Sequence, residues 1–383
     1  MALPELSEEI PRPADSKPRE SAFTVLGPEH AIPDLHVVHE HLADDTTPRT
    51  RPASKAIFVL DAPSLDVVYG AEEQRDLSRL VDFCGAPQTR ESIQGNLPIL
   101  AEAEIMLTSW GAPRLDHAFL EAAPKLRAVF HAAGSIRSFI TPASWQRGIV
   151  VTCAANCNAD PVADYTLAAI LLGLRSFWRF AAGTRQGLGW GDHTRAIAGG
   201  YQSTVGLVSC GVIARKVLSR LASHDVKCIV YDPFVSEEDA AALGVELCSL
   251  EEVFSRADVV SLHTPELPGT RGMITGKLLG SMKPNATFIN TARGAVVREA
   301  EMIETLWRRP DLQAVLDVCD PEPPAPDSPL LHLPNVVLTP HIAGSMGMEC
   351  RRLGRCMVEE VRRYLAGEPL HWQVTEAEAA RLA

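Results

Sequence analysis

At 383 residues the chain is longer than one ordinary hydrophobic core supports, so two domains are expected. A content of 46% hydrophobic and 22% charged residues is that of a soluble globular protein and excludes a disordered or fibrous one. The formal charge of -12 repels polyphosphate backbones and argues against nucleic acid as a partner.

The opening stretch, MALPELSEEIPRPADSKPRE, is acidic and Pro-rich without an apolar core, unlike a secretory signal. Residues 1–54 are expected to form a loosely ordered extension, with one short segment at Phe23–Leu26. From Ala56 on, strand and helix signals alternate. The β-rich runs are AIFVLD (Ala56–Asp61), EIMLTSW (Glu104–Trp110), LRAVFHAAG (Leu126–Gly134) and GIVVTC (Gly148–Cys153). Between them lie amphipathic stretches such as EEQRDLSRLVDF, where Leu77, Leu80 and Val81 share one helical face. This alternation predicts a parallel sheet covered by helices.

The longest apolar run, YTLAAILLGL (Tyr165–Leu174), is about half of what a membrane span needs, so a cytoplasmic protein without membrane contact is expected. It lies in a predicted helix of about Pro161–Phe180, and a domain boundary is expected at the Gly-rich connector GTRQGLGWGDHTRAIAGG that follows. Six mostly apolar runs come next: TVGLVS, VKCIVYD, ADVVSLH, ATFINTA, LQAVLDV and NVVLTP. They read as strands buried on both faces. A final helix, MECRRLGRCMVEEVRRYLAGEP, is stopped by Gly367 and Pro369. The nine cysteines are odd in number and scattered, which favours buried thiols over a disulfide framework. Cys153, Cys157, Cys350 and Cys356 lack metal-ligand spacing, and no metal is expected.

TVGLVSCGVIARKVLSRLASHDVKCIVYD has the layout of a strand, a tight turn, a helix and a second strand that opens a dinucleotide-binding unit. Ser209, Cys210, Gly211, Val212 and Ile213 form the turn and the helix start, where backbone N–H groups meet a pyrophosphate. Asp232, 21 residues after Gly211, is placed to accept hydrogen bonds from ribose hydroxyls. The fingerprint is imperfect, because Ser209 and Ala214 stand where the first and third glycines are expected. Asp232 repels a 2'-phosphate and DPFVSEED offers no arginine to hold one, so NAD is expected rather than NADP.

Three further residues follow strands of this half: Arg293 after ATFIN, Glu322 after LQAVLDV and His341 after NVVLTP. Ligands of parallel sheets bind beyond the carboxyl ends of the strands, so all three can share one crevice. Taken singly, His341 could close a strand, Arg293 could form a surface ion pair and Glu322 could be a loop residue between prolines.

With VADYTL and TPHIAGS, this trio in its order and spacing makes the chain resemble the D-isomer-specific 2-hydroxyacid dehydrogenases over about residues 56–375. The resemblance implies an α/β fold of two Rossmann/flavodoxin-like domains with parallel sheets. An NAD-binding domain, 166–344, would be inserted into a substrate domain made of 55–165 and 345–383. Asp164–Arg179 and Ser345–Leu365 would form the hinge, and a homodimer would form through the nucleotide domain. A small 2-oxo or 2-hydroxy acid would be the substrate, with hydride carried by NAD.

In those terms His341 is the acid/base, Glu322 holds its other ring nitrogen and favours the charged imidazole, and Arg293 binds the substrate carboxylate and carbonyl. Thr264 and Pro265 would line the adenine pocket. Ala292 would approach the nicotinamide through its backbone, Asp317 would hold the carboxamide, and Gly344 would complete the cofactor site. Backbone amides of Ala133, Gly134 and Ser135 would take the substrate carboxylate. Trp110 is either a pocket wall or a core residue. Arg137, where the family usually has aspartate, either meets a second anionic group or faces solvent or a neighbouring acid. Asp164 stands where glutamate is more frequent.

Glu322 argues against formate, whose dehydrogenases pair the histidine with glutamine, and HAAGSIR lacks the lysine of phosphite dehydrogenases. No regulatory domain is expected after the last helix. Two other readings remain: an NAD(H)-sensing binding protein like the corepressors that share the fold, and a dehydrogenase of a phosphonate or other unusual hydroxy acid.

Overall fold

A computed structural model describes residues 54–187 and 197–381. The expected N-terminal extension and the centre of the Gly-rich connector lie outside the described residues.

Two sheets account for the two cores. The first contains β1 (Lys55–Phe58), β2 (Asp82–Phe83), β3 (Ile105–Thr108), β4 (Ala128–His131), β5 (Val150–Cys153) and β13 (Gln373–Val374) in the order β13-β5-β4-β3-β1-β2. The second contains β6 (Thr204–Val208), β7 (Lys227–Tyr231), β8 (Glu246–Leu247), β9 (Val259–Leu262), β10 (Thr287–Asn290), β11 (Gln313–Leu316) and β12 (Val336–Leu338) in the order β12-β11-β10-β9-β6-β7-β8. The first has the flavodoxin-like order and the second the Rossmann order with an added edge strand.

Because β13 returns to the first sheet after β12, the second sheet is an insertion in the first. It also makes the first sheet mixed where a parallel one was expected, since β13 pairs antiparallel with β5. The central strands β9, β10 and β11 are buried along their whole length, which accounts for their continuous apolar sequences.

The helix Ala155–Leu174 passes from one sheet to the other. It starts six residues earlier than the expected Pro161, which lies inside it. Tertiary contacts override the weak helix propensity of its Asn-rich start: Asn158 accepts from Ser345 N at 2.8 Å, and Asp160 pairs with Lys216 at 2.8 Å. Ser176, at φ +48°, ends the run, and a separate helix, Phe177–Arg185, follows. Asp164 accepts from Arg220 Nε at 2.5 Å, tying the crossing helix to the helix Val212–Leu221.

That second helix places Ala214, Val217, Leu218 and Leu221 in one core with Val205 and Leu207 of β6 and with Ile170. Each aliphatic side chain buried there contributes about 1.5–3 kcal/mol. The last long helix, Glu349–Ala366, packs on the helix Ala71–Leu80 through Arg355, which reaches the buried Glu73 at 3.0 Å and Asp76 at 2.5 Å. A disulfide between Cys157 and Cys356 joins the Ala155 and Glu349 helices, while the other seven cysteines are free. The expectation of thiols alone is thereby corrected: residues 199 positions apart were brought together by packing that spacing does not reveal.

Among the described residues no helix is long and apolar enough to cross a membrane, and no group of His, Cys, Asp and Glu could hold a metal ion.

Candidate active site

Strand order reverses between β6 and β9, and a cavity of about 610 Å³ opens there between the two halves. This is the size range of small-molecule sites. On the nucleotide side it is lined by Gly211, Val212, Ile213 and Pro265. Gly211 is the N-cap of the Val212 helix and has no side-chain cap, and nothing stands within 4 Å of where its Cβ would be. The helix start is therefore open to an anion, as a pyrophosphate requires.

Ser209 sits at φ +73° with its hydroxyl 2.9 Å from Thr264 Oγ1. The side chain that weakened the fingerprint is thus turned toward β9's end and not into the phosphate position. The buried Cys210 donates its N–H to Asp232 Oδ2 at 2.7 Å, and Phe234 N donates to Oδ1 at 2.8 Å. Asp232 is thereby fixed at the end of β7 with acceptor capacity left for ribose hydroxyls. Helix start, turn and acid fit a dinucleotide.

Arg293 enters the cavity from the loop after β10. Asn290 shapes that loop: its Nδ2 donates to Arg293 O at 3.0 Å and its Oδ1 accepts from Ala292 N at 3.0 Å. A Cβ on Gly294 would lie 2.1 Å from the Cys319 carbonyl, so only glycine lets the loop pack against the end of β11. Arg293 Nη1 donates to Ala292 O at 2.6 Å. Burial lowers the guanidinium pKa from its ordinary value, and the carboxylates of Glu266 and Glu322 oppose that. Arginine remains charged at neutral pH regardless.

His341 lies on the same cavity, and its Nδ1 is 2.6 Å from Glu322 Oε1. Nε2 is left as the nitrogen available to a ligand.

Asp317 is only 2% exposed and its carboxylate is heavily used. Oδ1 accepts from Thr339 Oγ1 at 2.6 Å and Ile342 N at 2.8 Å, and Oδ2 accepts from Ala343 N at 2.8 Å. It borders the cavity, as a carboxamide contact needs, yet its hydrogen bonds make it the anchor of the His341 loop.

On the substrate side the cavity meets Trp110, Ala133, Gly134 and Ser135. Trp110 is 42% exposed, so it is a wall and not a core residue. Arg137 is exposed, lies outside the cavity lining and donates to the carbonyls of Ala379 and Ala380 at 3.4 and 3.2 Å. Its placement removes the residue that had pointed to a second anionic group. Ala292 borders the Arg293 loop, and Gly344 lines the cavity.

Several residues of the site escaped the sequence reading. Asn158 stands between Gly134 and Gly344, where a Cβ on either would come within 3.1 Å of its amide. It joins the Ala133–Ser135 loop to the His341 loop. His131 and His263 also line the cavity. An Asn-rich helix start gave no signal in one sequence, and His131 looked like the end of a strand.

Such a cavity at the switch point of a Rossmann sheet defines a dinucleotide-binding fold of the α/β class. Residues 167–343 match the family described as D-isomer specific 2-hydroxyacid dehydrogenase, NAD binding domain. The chain is 36% identical over 259 residues to (S)-sulfolactate dehydrogenase of Chromohalobacter salexigens, covering 66% of this chain and 82% of that protein. It is 35% identical over 272 residues to D-3-phosphoglycerate dehydrogenase of Mycobacterium bovis, covering 71% of this chain and 51% of that protein. The chain therefore spans about half the length of the first curated relatives it matches. A solved structure from Thermus thermophilus, 28% identical, superposes with a TM-score of 0.67 over 84% of this chain and 100% of that one. The chain belongs to the D-isomer specific 2-hydroxyacid dehydrogenase family.

Proposed function

We propose that this protein is an NAD-dependent oxidoreductase that interconverts a 2-oxo acid and its D-2-hydroxy acid. The observation that carries the proposal is the convergence of Arg293 and the Glu322–His341 pair on the cavity that also holds the open start of the Val212 helix. When bound, the dinucleotide supplies hydride to the carbonyl carbon.

The residues do the rest. Arg293 grips the carboxylate with its forked donors and polarises the neighbouring carbonyl. Backbone amides at Ala133–Ser135 take the other side of the carboxylate. As the carbonyl oxygen gains charge, His341 gives it a proton from Nε2, while Glu322 fixes the ring and offsets the imidazolium charge. In the oxidising direction the same nitrogen accepts the proton. Asp317 keeps the His341 loop in place and borders the position of the carboxamide, and Thr264 and Pro265 flank that of the adenine.

The substrate-domain boundaries 55–165 and 345–383, the inserted domain 166–344, a homodimer, a cytoplasmic location and the absence of a nucleic-acid partner belong to the same reading. The family resemblance supports the dimer, and the net charge of -12 supports the last point. Two relatives carry the printed names phosphoglycerate and sulfolactate dehydrogenase, and Arg90 lines the cavity here. Acids with a second anionic group therefore belong in the substrate panel. The test follows NADH consumption with a panel of 2-oxo acids, phosphorylated and sulfonated ones included, beside His341→Ala. Turnover that vanishes in the variant is the expected result. NADH binding without turnover of any member would favour the sensing protein instead.

A further inference from the structure

We propose that Arg381 is a cofactor-contacting residue: the substrate domain carries its guanidinium across the cleft to hold the diphosphate in the ADP half of the dinucleotide. This rests on the reading of the cavity as an NAD site.

The segment that bears Arg381 is fixed to the first sheet. Gln373 and Val374 pair with Thr152 and Val151 of β5. The short helix Glu376–Ala379 that follows has a capping box between Thr375 and Glu378. Arg137 donates to its last carbonyls, and Arg381 N donates to Glu378 O at 2.9 Å.

From this base the Arg381 side chain leaves its own domain. Its Cζ lies 5.9 Å from the centre of the Phe234 ring, which lies in the loop after β7 of the other sheet and follows Asp232 by two residues. Phe234 is 82% exposed, and its N–H is one of the two donors that fix Asp232. Arg381 also lines the cavity together with Gly211, Val212 and Ile213. A cation and an open helix start thus face the same space from opposite domains, one on a side chain and one on backbone N–H groups. A diphosphate satisfies both, and guanidinium is the cation suited to paired phosphate oxygens. Glu378, the neighbouring acid on the cavity, is turned to its own helix start, where its Oε2 accepts from Thr375 N and Thr375 Oγ1, both at 2.8 Å, and Arg381 is the cation of this segment on the cavity. The sequence around Asp232 offers no arginine; the fold brings one from 149 positions away.

The test measures NADH binding by fluorescence, and ADP and adenosine by displacement, for the unaltered protein, Arg381→Ala and Arg381→Lys. Arg381→Ala should bind NADH and ADP about tenfold more weakly, the order of one charge-assisted hydrogen bond in a half-open site. Arg381→Lys should recover most of the loss, adenosine should be unaffected, and the melting curves should coincide. Equal ADP affinity in Arg381→Ala, or an equal loss for adenosine, would overturn the proposal. Failure of the unaltered protein to bind NADH would overturn the cofactor reading and the proposal with it.

Discussion

His341 holds its Nδ1 2.6 Å from Glu322 Oε1 while its own backbone sits at φ +55°. A side chain in that left-handed region costs about 1–2 kcal/mol. The neighbouring bonds offset it: His341 N donates to Asp317 O at 3.0 Å, and the next two amides donate to the Asp317 carboxylate. The sharp turn ends the extended run from β12 and aims the imidazole at the crevice instead of along the sheet. Strain, anchor and imidazole therefore form one unit.

Removing the proton donor should stop chemistry without touching cofactor binding. His341→Ala is expected to lower kcat by about 10²–10⁴ with NADH affinity unchanged. Glu322→Gln keeps a hydrogen-bond acceptor but loses the charge that balances the imidazolium, so a smaller loss is expected. Steady-state rates beside fluorescence titrations check both. A Glu322→Gln enzyme as active as the unaltered one would show that the 2.6 Å contact only positions the ring.

Asp317 should behave as a structural and a functional residue at once. Asp317→Ala leaves the donors of Thr339, Ile342 and Ala343 without their carboxylate, and orphaned buried donors cost about 1–3 kcal/mol each. A fall in stability of roughly 2–4 kcal/mol is expected, with kcat reduced because His341 loses its pose. Urea unfolding and turnover at a temperature where the variant is folded separate the two effects. Retained stability would mean that water replaces the carboxylate.

Much of this was legible in the sequence because the central strands announce themselves. The ten apolar runs each coincide with a strand, and β3, β4, β9, β10 and β11 are buried along their whole length, whereas β7 and β12, also expected to be buried on both faces, are only partly so because they lie nearer the sheet edges. The strands that went unnoticed, Asp82–Phe83, Glu246–Leu247 and Gln373–Val374, are two residues long and lie at sheet edges, where neither pattern nor burial leaves a trace. Arg293, Glu322 and His341 could be named because each follows a readable strand. Asn158 and Arg381 could not. Their positions come from packing between segments far apart in the chain, as does the buried pairing of Glu73 with Arg355.

Ser209 tests how much the imperfect fingerprint matters. Glycine there would relieve the strain of φ +73° and lose the hydrogen bond to Thr264, two terms of about 1 kcal/mol with opposite sign. Ser209→Gly is accordingly expected to change stability by less than about 1 kcal/mol and NADH affinity by less than about threefold. Ser209→Val, with a branched side chain and no hydroxyl, should destabilise by about 1–3 kcal/mol. Thermal melts and NADH titrations decide. A large gain in affinity for the glycine variant would show that the serine does obstruct the pyrophosphate.

His131 gives the fold an acid sensitivity whose sign can be worked out. It is 3% exposed at the end of β4, packs against Phe139 with ring centres 4.6 Å apart and the planes tilted by 45°, and its Nδ1 has no hydrogen-bond partner. Burial lowers its pKa to about 3 from an ordinary value of 6.5. Between those values the unfolded chain binds a proton that the folded chain refuses. The contribution is fully present above pH 6.5 and is lost as pH falls toward 3, with a slope of at most about 1.4 kcal/mol per pH unit. His131→Phe removes the titrating group and keeps an aromatic ring against Phe139. Its urea midpoint should fall less than that of the unaltered protein between pH 6.5 and 4, while the two proteins keep a constant difference above pH 7. Parallel curves through the acid range would mean that His131 is protonated in the folded state. It would then add a cation to the cavity wall that His131 shares with Arg293, whereas the neutral ring adds none.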